Sequence, residues 1–259
     1  MATAILLSEY GGPQALKIEH VDVAAPGPGE LRIRQTAIGV NFHDVYVRSG
    51  LYKTLTLPGI PGIEAAGVVE AIGPQVTGFS TGDSIAYITN HYGAYASERI
   101  LPARLAIRLP DAIDQDLAAS VLLKGLTAQM LLRQVHQVQS GDTILVHAAS
   151  GGVGQLLCQW ASYLGATVIG TVGSQEKAEQ RAPWVARTLF CIARKISWSG
   201  CVRSPTIRGS MLFMTLLART RSWAHWPRWP DGAIWLISDN LRAASTRLRC
   251  PSSHPNPIV

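Results

Sequence analysis

The chain has 259 residues and a formal net charge of +6, and this length allows a large buried core and two domains. No run of about 18 apolar residues occurs, so a membrane-spanning helix is not expected, and the first residues lack the charged start and apolar core of a signal peptide. The four cysteines, Cys158, Cys191, Cys201 and Cys250, show no CxxC spacing. We therefore expect a cytoplasmic protein with free thiols.

The first 113 residues contain many short apolar or alternating segments separated by Gly and Pro. Strands are predicted in the segments 1–11, 30–40, 64–73, 82–87 and 93–100. A short helix is predicted to run from Asn41 to Arg48. This pattern is typical of a β-rich, partly barrel-like domain, which we assign to residues 1–113.

A longer helical pattern follows over residues 114–139. Its predicted core positions are Leu117, Val121, Leu122, Leu126, Met130 and Leu131. We expect this helix to connect the β-rich domain to a second domain, and we assign residues 114–182 to the connecting helix and the βαβ unit that follows it.

Residues 143–174 have the pattern of that βαβ unit. The apolar segment from Thr143 to His147 is typical of a strand buried on both faces, and the segment from Thr167 to Val172 is typical of a second strand. A helix with one apolar face is predicted between them, ending at Gly165 as its C-cap.

The turn that enters this helix reads AxxGxxG, with Ala148 in place of the first glycine of a GxGxxG pattern. Glycines let a ligand approach the backbone, and the N–H groups at a helix start attract anionic oxygens. A tight structural turn without a ligand is the alternative. The strand before the turn and the helix and strand after it favour a dinucleotide diphosphate site.

The end of the second strand bears on which dinucleotide binds. NAD sites usually place Asp or Glu there for the ribose 2′-OH, whereas this chain has Gly173 and Ser174, with Lys177 one helical turn later. Small and basic groups suit a 2′-phosphate better than a carboxylate does, so the sequence favours NADPH over NADH. Lys177 taken without its neighbours would be interpreted as a solvated helix residue.

Six motifs occur in order along residues 1–182: NFHDVYVRSGLY, PGIPGIEAAGVVEAIG, GDSIAY, LLKGLTA, HAASGGVGQ and GTVGSQEKA. In these motifs the chain resembles the zeta-crystallin-like NADPH:quinone oxidoreductases of the medium-chain dehydrogenase/reductase superfamily. The resemblance implies an α/β protein with a GroES-like catalytic domain followed by a Rossmann domain, a doubly wound parallel sheet that is incomplete here. It also implies zinc-independent hydride transfer from NADPH to a quinone or enone, usually in a homodimer.

The resemblance assigns the substrate end of the site to five residues. Asn41 and Tyr46 would border the nicotinamide ribose and the substrate cleft, and Tyr52 would line the quinone pocket. Lys124 and Thr127 would lie at the edge of the cofactor. Tyr46 and Tyr52 are the candidate catalytic residues, because a tyrosine hydroxyl can donate a hydrogen bond to a developing oxyanion. Two alternatives stay open from the residues alone: Tyr46 as a core residue and Asn41 as a helix N-cap.

The resemblance assigns the nucleotide end to the βαβ unit. Gly151, Gly152 and Val153 would hold the diphosphate. The 2′-phosphate would lie against Gly173, Ser174 and Lys177.

A zinc site is not expected. No cysteine precedes Cys158, and the row from Pro61 to Glu64 lacks the histidine that zinc-dependent relatives place before the glutamate. A tetrahedral site with thiolate ligands therefore cannot be assembled in the first domain.

Charge and composition change near residue 182. Residues 1–182 carry 12 basic and 15 acidic residues, a net charge of −3, whereas residues 183–259 carry 11 basic and two acidic residues, a net charge of +9. Six of the seven Trp residues also follow residue 182, and Pro183 is expected to break a helix. A shifted reading frame of GC-rich DNA would produce such a composition. We therefore expect residues 183–259 to be disordered or non-native, which would leave the two predicted strands with unpaired edges.

The alternative for residues 183–259 is a basic, Trp-rich appendage that binds nucleic acid or a membrane surface. It is less favoured because no periodic face accompanies the charge. The sequence as a whole predicts an NADPH-dependent quinone oxidoreductase that is impaired by its C-terminal part, without the homodimer of the family. The alternative function is a non-catalytic, NADPH-binding or crystallin-like structural protein.

Overall fold

Residue contacts divide the chain into two compact units, Met1–Leu123 and Lys124–Val259. The computed structural model describes residues 1–174, residue 176 and the backbone of the four strands Thr188–Cys191, Met211–Thr215, Ile234–Ile237 and Leu248–Arg249. None of the helices in this described part combines the length and the hydropathy of a membrane-spanning segment.

The first unit is built from antiparallel strands. A two-stranded sheet pairs β1 (Ala2–Leu7) with β2 (Leu16–Val21). A five-stranded sheet has the order β6-β3-β4-β5-β7. Its members are β3 (Glu30–Gly39), β4 (Glu64–Ile72), β5 (Ser84–Ile88), β6 (Glu98–Pro102) and β7 (Ile107–Arg108). The prediction of a β-rich, GroES-like domain is confirmed. Strand β2 was not predicted: Leu16 and Ile18 alternate with Lys17 and Glu19, but most of its side chains are exposed.

Alternation along β3 produces the core of this unit. Leu31 and Ile33, on one face of the strand, are fully buried beside Tyr87. Arg34, on the opposite face, is exposed. Small residues on β4 allow the two strands to lie close together: a Cβ on Gly67 would lie 2.9 Å from the Cα of Gln35. The short helix α1 (Phe42–Arg48) follows β3 as predicted.

The connecting helix is shorter than predicted. Helix α2 (Gln115–Gln129) continues into one π-helical turn, Met130–Val135. Two of its predicted core positions are wrong, since Leu117 is 47% and Leu126 is 44% exposed. The buried residues near its start are Ala118 and Ala119, which pack with Ala66 and Ala86 of the five-stranded sheet, and Leu122 packs against the same cluster.

The second unit contains the predicted βαβ unit. Strand β8 (Thr143–Val146) pairs in parallel with β9 (Thr167–Val172), and helix α3 (Gly152–Tyr163) connects them. All four residues of β8 are buried, as expected for a strand covered on both faces. Gly165 adopts φ +86° directly after the helix, which confirms it as the residue that ends α3.

The sheet continues beyond the two predicted strands. β10 (Thr188–Cys191) pairs in parallel with β9, and β11 (Met211–Thr215) pairs in parallel with β8. β12 (Ile234–Ile237) and β13 (Leu248–Arg249) follow, giving the order β10-β9-β8-β11-β12-β13. The doubly wound arrangement is therefore confirmed, with its switch point between β8 and β11.

The expectation that β8 and β9 have unpaired edges is wrong, because both edges carry a parallel partner. The expectation that residues 183–259 are disordered or non-native stays a prediction, beside the four strands that the structure describes there. β10, β11 and β12 are short, mostly apolar segments, and such segments can pair even within an unusual overall composition. The other residues of 183–259 lie outside the described part of the chain.

Candidate functional site

Asn41 is both a helix N-cap residue and a side chain held by a buried acid. Its backbone is extended (φ −126°, ψ 157°) and its N–H donates to Asp44 Oδ2 at 2.8 Å, as in a capping box. Its Nδ2 donates to Glu64 Oε2 at 2.7 Å. The N-cap alternative is confirmed, because the Asn41 side chain also accepts from the Asp44 backbone N–H in the capping box. Its Nδ2 is oriented separately, by Glu64.

Tyr46 and Tyr52, the candidate catalytic residues, lie together in an aromatic cluster. Their ring centroids are 5.2 Å apart in an edge-to-face arrangement, and both side chains are half-buried. His43 lies 5.7 Å from Tyr52 and stacks on Tyr92 at 6.0 Å, with His43 Nε2 3.0 Å from the Tyr92 hydroxyl. His43 and Tyr92 were missed from the sequence. The position of His43 one helical turn before Tyr46 was a usable signal, whereas nothing near Tyr92 in the chain indicates its place.

Burial sets the charge states around α1. Desolvation lowers the pKa of His43, although the neighbouring Asp44 carboxylate opposes this effect. Its imidazole is therefore neutral at neutral pH. Burial raises the pKa of Asp44, opposed by hydrogen bonds from Asn41 N–H and the Tyr95 hydroxyl. The pKa of Tyr95 is raised by burial and by Asp44, so its hydroxyl stays protonated and can donate.

The predicted dinucleotide turn is a tight backbone structure at the carboxyl end of β8. Ala148 adopts φ +51°, in the left-handed region that favours glycine. Gly151 N–H donates to Ala148 C=O at 2.8 Å, and Ala149 N–H donates to Thr171 C=O at 2.9 Å. A Cβ on Gly154 would lie 2.8 Å from Ala149 Cα and closer still to Ala148 O. Gly154, part of the motif but not among the predicted site residues, is therefore the glycine that the turn requires.

The helix start after this turn has the properties of an anion site. The first bond of the α3 ladder runs from Gln155 N–H to Gly151 C=O at 2.9 Å, so the N–H groups of Gly152 and Val153 precede the ladder. Gly151 and Gly152 are exposed. A Cβ on Gly152 would lie 2.8 Å from Lys124 Cδ and 2.9 Å from Cε, so the lysine side chain extends past the helix start. Free N–H groups, the helix dipole and a cationic side chain fit a diphosphate.

The remaining predicted residues of the second unit lie near the ends of its elements. Thr127 is half-buried on α2, one turn after Lys124, and Gly173 and Ser174 follow the end of β9. Lys177 lies outside the described residues, so its predicted role stays a prediction.

One pair at the strand ends was missed from the sequence. His147 Nδ1 is 2.9 Å from Thr171 Oγ1, which joins the ends of β8 and β9 beside the turn, and burial lowers the pKa of His147. Across residues 1–174, no three His, Cys, Asp or Glu side chains come close enough to hold a metal ion.

A GroES-like antiparallel domain followed by a doubly wound sheet with a glycine turn after its first strand defines a medium-chain dehydrogenase/reductase. Residues 27–111 match the alcohol dehydrogenase GroES-like domain. A quinone oxidoreductase of Pseudomonas aeruginosa is 50% identical over 187 residues, 71% of this chain and 58% of that protein. A 2-haloacrylate reductase of Burkholderia is 46% identical over 196 residues, 74% of this chain and 57% of that protein.

Solved structures agree with these relatives. The structure of an Escherichia coli quinone oxidoreductase complexed with NADPH matches with a TM-score of 0.72 and 34% identity, covering 82% of this chain and 72% of that one. The chain belongs to the quinone oxidoreductase family of the medium-chain dehydrogenase/reductase superfamily. It spans a little under three fifths of the length of the two curated relatives described above.

Proposed function

We propose that this chain binds NADPH and catalyses transfer of a hydride from it to a quinone or a related enone. The observation that carries the proposal is the turn Ala148–Gly154, where Gly154 is closely packed and the Lys124 side chain lies beside Gly152 at the start of α3. Family membership supports the choice of cofactor, since a relative of known structure was solved with NADPH.

The second unit would hold the nucleotide. The N–H groups of Gly152 and Val153 and the ammonium group of Lys124 would bind the diphosphate, which carries negative charge along its whole length. Gly173, Ser174 and Lys177 would accept the 2′-phosphate, because no acidic side chain occupies the end of β9 to repel it.

The first unit would orient the reacting groups. When bound, NADPH supplies the hydride and the reducing electrons. Asn41 and Tyr46 would border the nicotinamide ribose, and Tyr52 would line the substrate pocket. Thr127, which belongs to the second unit, would lie at the cofactor edge. The hydroxyl of Tyr46 or Tyr52 would donate a hydrogen bond to the oxygen of the substrate that gains negative charge. The neutral His43 ring beside them adds a planar, uncharged wall.

The aromatic cluster favours a flat, conjugated substrate. A quinone ring could stack against Tyr46, Tyr52 and the His43–Tyr92 pair, which present ring edges and faces. A relative is a reductase of 2-haloacrylate, an activated alkene much smaller than a quinone. We therefore propose a preference for quinones over haloacrylates.

We further propose that turnover is lower than in a full-length relative, because the resemblance in sequence ends near residue 182. We also propose that the protein is cytoplasmic and that it does not form the family's homodimer. A non-catalytic, NADPH-binding role stays the second candidate for this reason.

The test is a fluorescence titration of the full chain with NADPH, followed by oxidation of NADPH in the presence of 1,4-benzoquinone or 2-chloroacrylate. We expect saturable binding that is tighter for NADPH than for NADH, and measurable turnover with the quinone. Binding without turnover on either substrate would support the non-catalytic role. No fluorescence change at millimolar NADPH would contradict both.

A further inference from the structure

Glu64, the first residue of β4, is a fully buried acid whose two carboxylate oxygens are both hydrogen-bonded. Its exposed fraction is 0%. Oε2 accepts from Asn41 Nδ2 at 2.7 Å, and Oε1 accepts from the backbone N–H of Leu123 at 2.6 Å. Both donors are neutral. A buried carboxylate without a cationic partner is costly, so its presence needs a reason beyond packing.

The surrounding backbone leaves space for this carboxylate. Gly39, the last residue of β3, lies opposite Glu64 in the strand register. A Cβ on Gly39 would lie 2.7 Å from Ala119 O and closer still to Glu64 Oε2. The end of β3, the start of β4 and the first part of helix α2, up to Leu123, therefore converge on one acid within the first unit.

The chemistry of the acid determines how the Asn41 amide is oriented. Because Glu64 Oε2 accepts from Asn41 Nδ2, the carbonyl oxygen Oδ1 of the same amide is directed away from Glu64. There it accepts from the Asp44 backbone N–H of the capping box and keeps a second lone pair as an acceptor. An unrestrained asparagine could present either atom, whereas this one presents an acceptor.

We propose that Glu64 is a positioning residue that fixes the Asn41 carboxamide so that Oδ1 accepts a hydrogen bond from the nicotinamide ribose. This inference rests on the proposed function, because the ligand that Oδ1 meets is NADPH. Glu64 does not touch the cofactor. It acts through Asn41 and, through the N–H of Leu123, also fixes the path of α2 one residue before Lys124.

The chain allows a test in which donor and acceptor are exchanged. In Glu64→Gln, an NH2 group replaces one of the two oxygens that accept hydrogen bonds, so either Asn41 or Leu123 loses its acceptor. In Asn41→Asp, a second carboxylate lies against Glu64. In the double variant, the amide nitrogen of the glutamine can donate to the aspartate while its carbonyl accepts from Leu123 N–H. The double variant keeps the net charge and leaves one aspartate oxygen free to act as Oδ1 does.

The measurement is the NADPH dissociation constant of the full chain, with KM and kcat for NADPH oxidation by 1,4-benzoquinone. We expect each single variant to weaken NADPH binding about tenfold or more, equivalent to about 1.4 kcal/mol, and the double variant to return to within about threefold of the original chain. A purely structural role would alter the melting temperature without this reciprocal recovery in binding. Glu70→Gln, on the same strand and paired with Arg34 at 3.1 Å, is the control and should bind NADPH normally.

Two results would overturn the inference: single variants that bind NADPH like the original chain, or a double variant no better than the weaker single one. If Glu64→Gln does not fold, Asn41→Ala carries the test, and normal NADPH binding by that variant overturns it as well. Failure of the original chain to bind NADPH would instead refute the proposed function, and the role of Glu64 toward the cofactor with it. Melting temperatures of the same four proteins without nucleotide separate that case, because they report the Glu64–Asn41 hydrogen bond alone.

Discussion

The two candidate binding regions are built in different ways. In the first unit, Asn41 is held by its side-chain Nδ2, which donates to the buried Glu64, and by its backbone N–H, which donates to the side chain of the buried Asp44. In the second unit, the turn from Ala148 to Gly154 is held by backbone bonds and by the absence of side chains. The first region depends on polar atoms that form hydrogen bonds, and the second depends on glycines, which have no Cβ.

This difference predicts two kinds of sensitivity. Removing one polar atom near Asn41 leaves a buried partner unsatisfied, at a cost of about 1–3 kcal/mol that depends on charge and therefore on pH. Adding one carbon to the turn produces a collision with backbone, which neither pH nor salt relieves. Substitutions chosen in each region can test whether the distinction holds.

The largest effect is expected for Gly154→Val. Its Cβ would lie 2.8 Å from Ala149 Cα and closer to Ala148 O, both backbone atoms that cannot move aside without opening the turn. We expect a loss of about 3 kcal/mol in stability and at least a hundredfold weaker NADPH binding, measured by urea unfolding and by fluorescence titration. Gly125→Ala is the matched control, because nothing lies within 4 Å of its Cβ, and a helix-interior alanine should stabilise by up to about 1 kcal/mol. A Gly154→Val protein as stable as the original chain would mean that the turn is not closely packed.

Gly152→Val should affect binding much more than stability. The atoms nearest to its Cβ are Cδ and Cε of Lys124, the far part of a flexible side chain that can move away. We expect unfolding free energies within about 1 kcal/mol of the original chain and NADPH binding weakened by roughly a hundredfold, because the valine would occupy the diphosphate position and displace the lysine. Normal NADPH binding by a folded Gly152→Val protein would show that the turn does not hold a diphosphate.

Sequence patterns predicted most accurately those parts of the structure that are formed by the backbone alone. The strand, turn, helix and strand of residues 143–174 could be assigned because a parallel strand buried on both faces is continuously apolar and a dinucleotide turn is marked by glycine. The requirement for Gly154 is visible in the motif itself. The sequences of β10, β11 and β12 are also mostly apolar. They were not predicted as strands because the basic composition of residues 183–259 was given more weight.

Side-chain arrangements between distant segments could not be predicted. Glu64 pairs with Asn41, 23 positions away, and with Leu123, 59 positions away, and no periodicity relates such positions. The stacking of Tyr92 on His43 depends on the loop after β5 returning to α1. On α2, leucines were assigned to the core because they are large, although the buried residues near its start are alanines.

Lys177→Ala should change which cofactor is preferred. A lysine that contacts the 2′-phosphate contributes a charge-assisted hydrogen bond of about 1.5–3 kcal/mol, so its loss should weaken NADPH binding by about tenfold or more and leave NADH binding unchanged. Lys124→Ala is the contrasting variant, since a lysine at the diphosphate should weaken both cofactors to the same degree. Equal losses for the two cofactors in Lys177→Ala would remove its assignment to the 2′-phosphate. Titrations with both cofactors at one ionic strength make the comparison.

The smallest effect concerns Asp44, and it tests whether the first unit is governed by charge. Asp44 is 5% exposed and its Oδ1 has no hydrogen-bond partner in the described part of the chain. Burial raises its pKa above the ordinary value of 3.8, against the influence of Asn41 N–H, the Tyr95 hydroxyl and the His43 ring. The folded state therefore holds the Asp44 proton more tightly than the unfolded state does.

The sign of the pH dependence follows from this difference in proton binding. Below about pH 3.8 the acid is protonated in both states and contributes no penalty. As the pH rises through the raised folded pKa, the unfolded state loses its proton first, so stability falls by at most about 1.4 kcal/mol per pH unit and then levels off. Asp44→Asn cannot titrate. The stability of the original chain relative to this variant should thus decrease between pH 4 and 7 in urea unfolding, whereas the corresponding difference for Gly154→Val should not change with pH. A flat or rising Asp44 difference would mean that the carboxylate is stabilised when charged, and the contrast between the two regions would then not rest on buried charge.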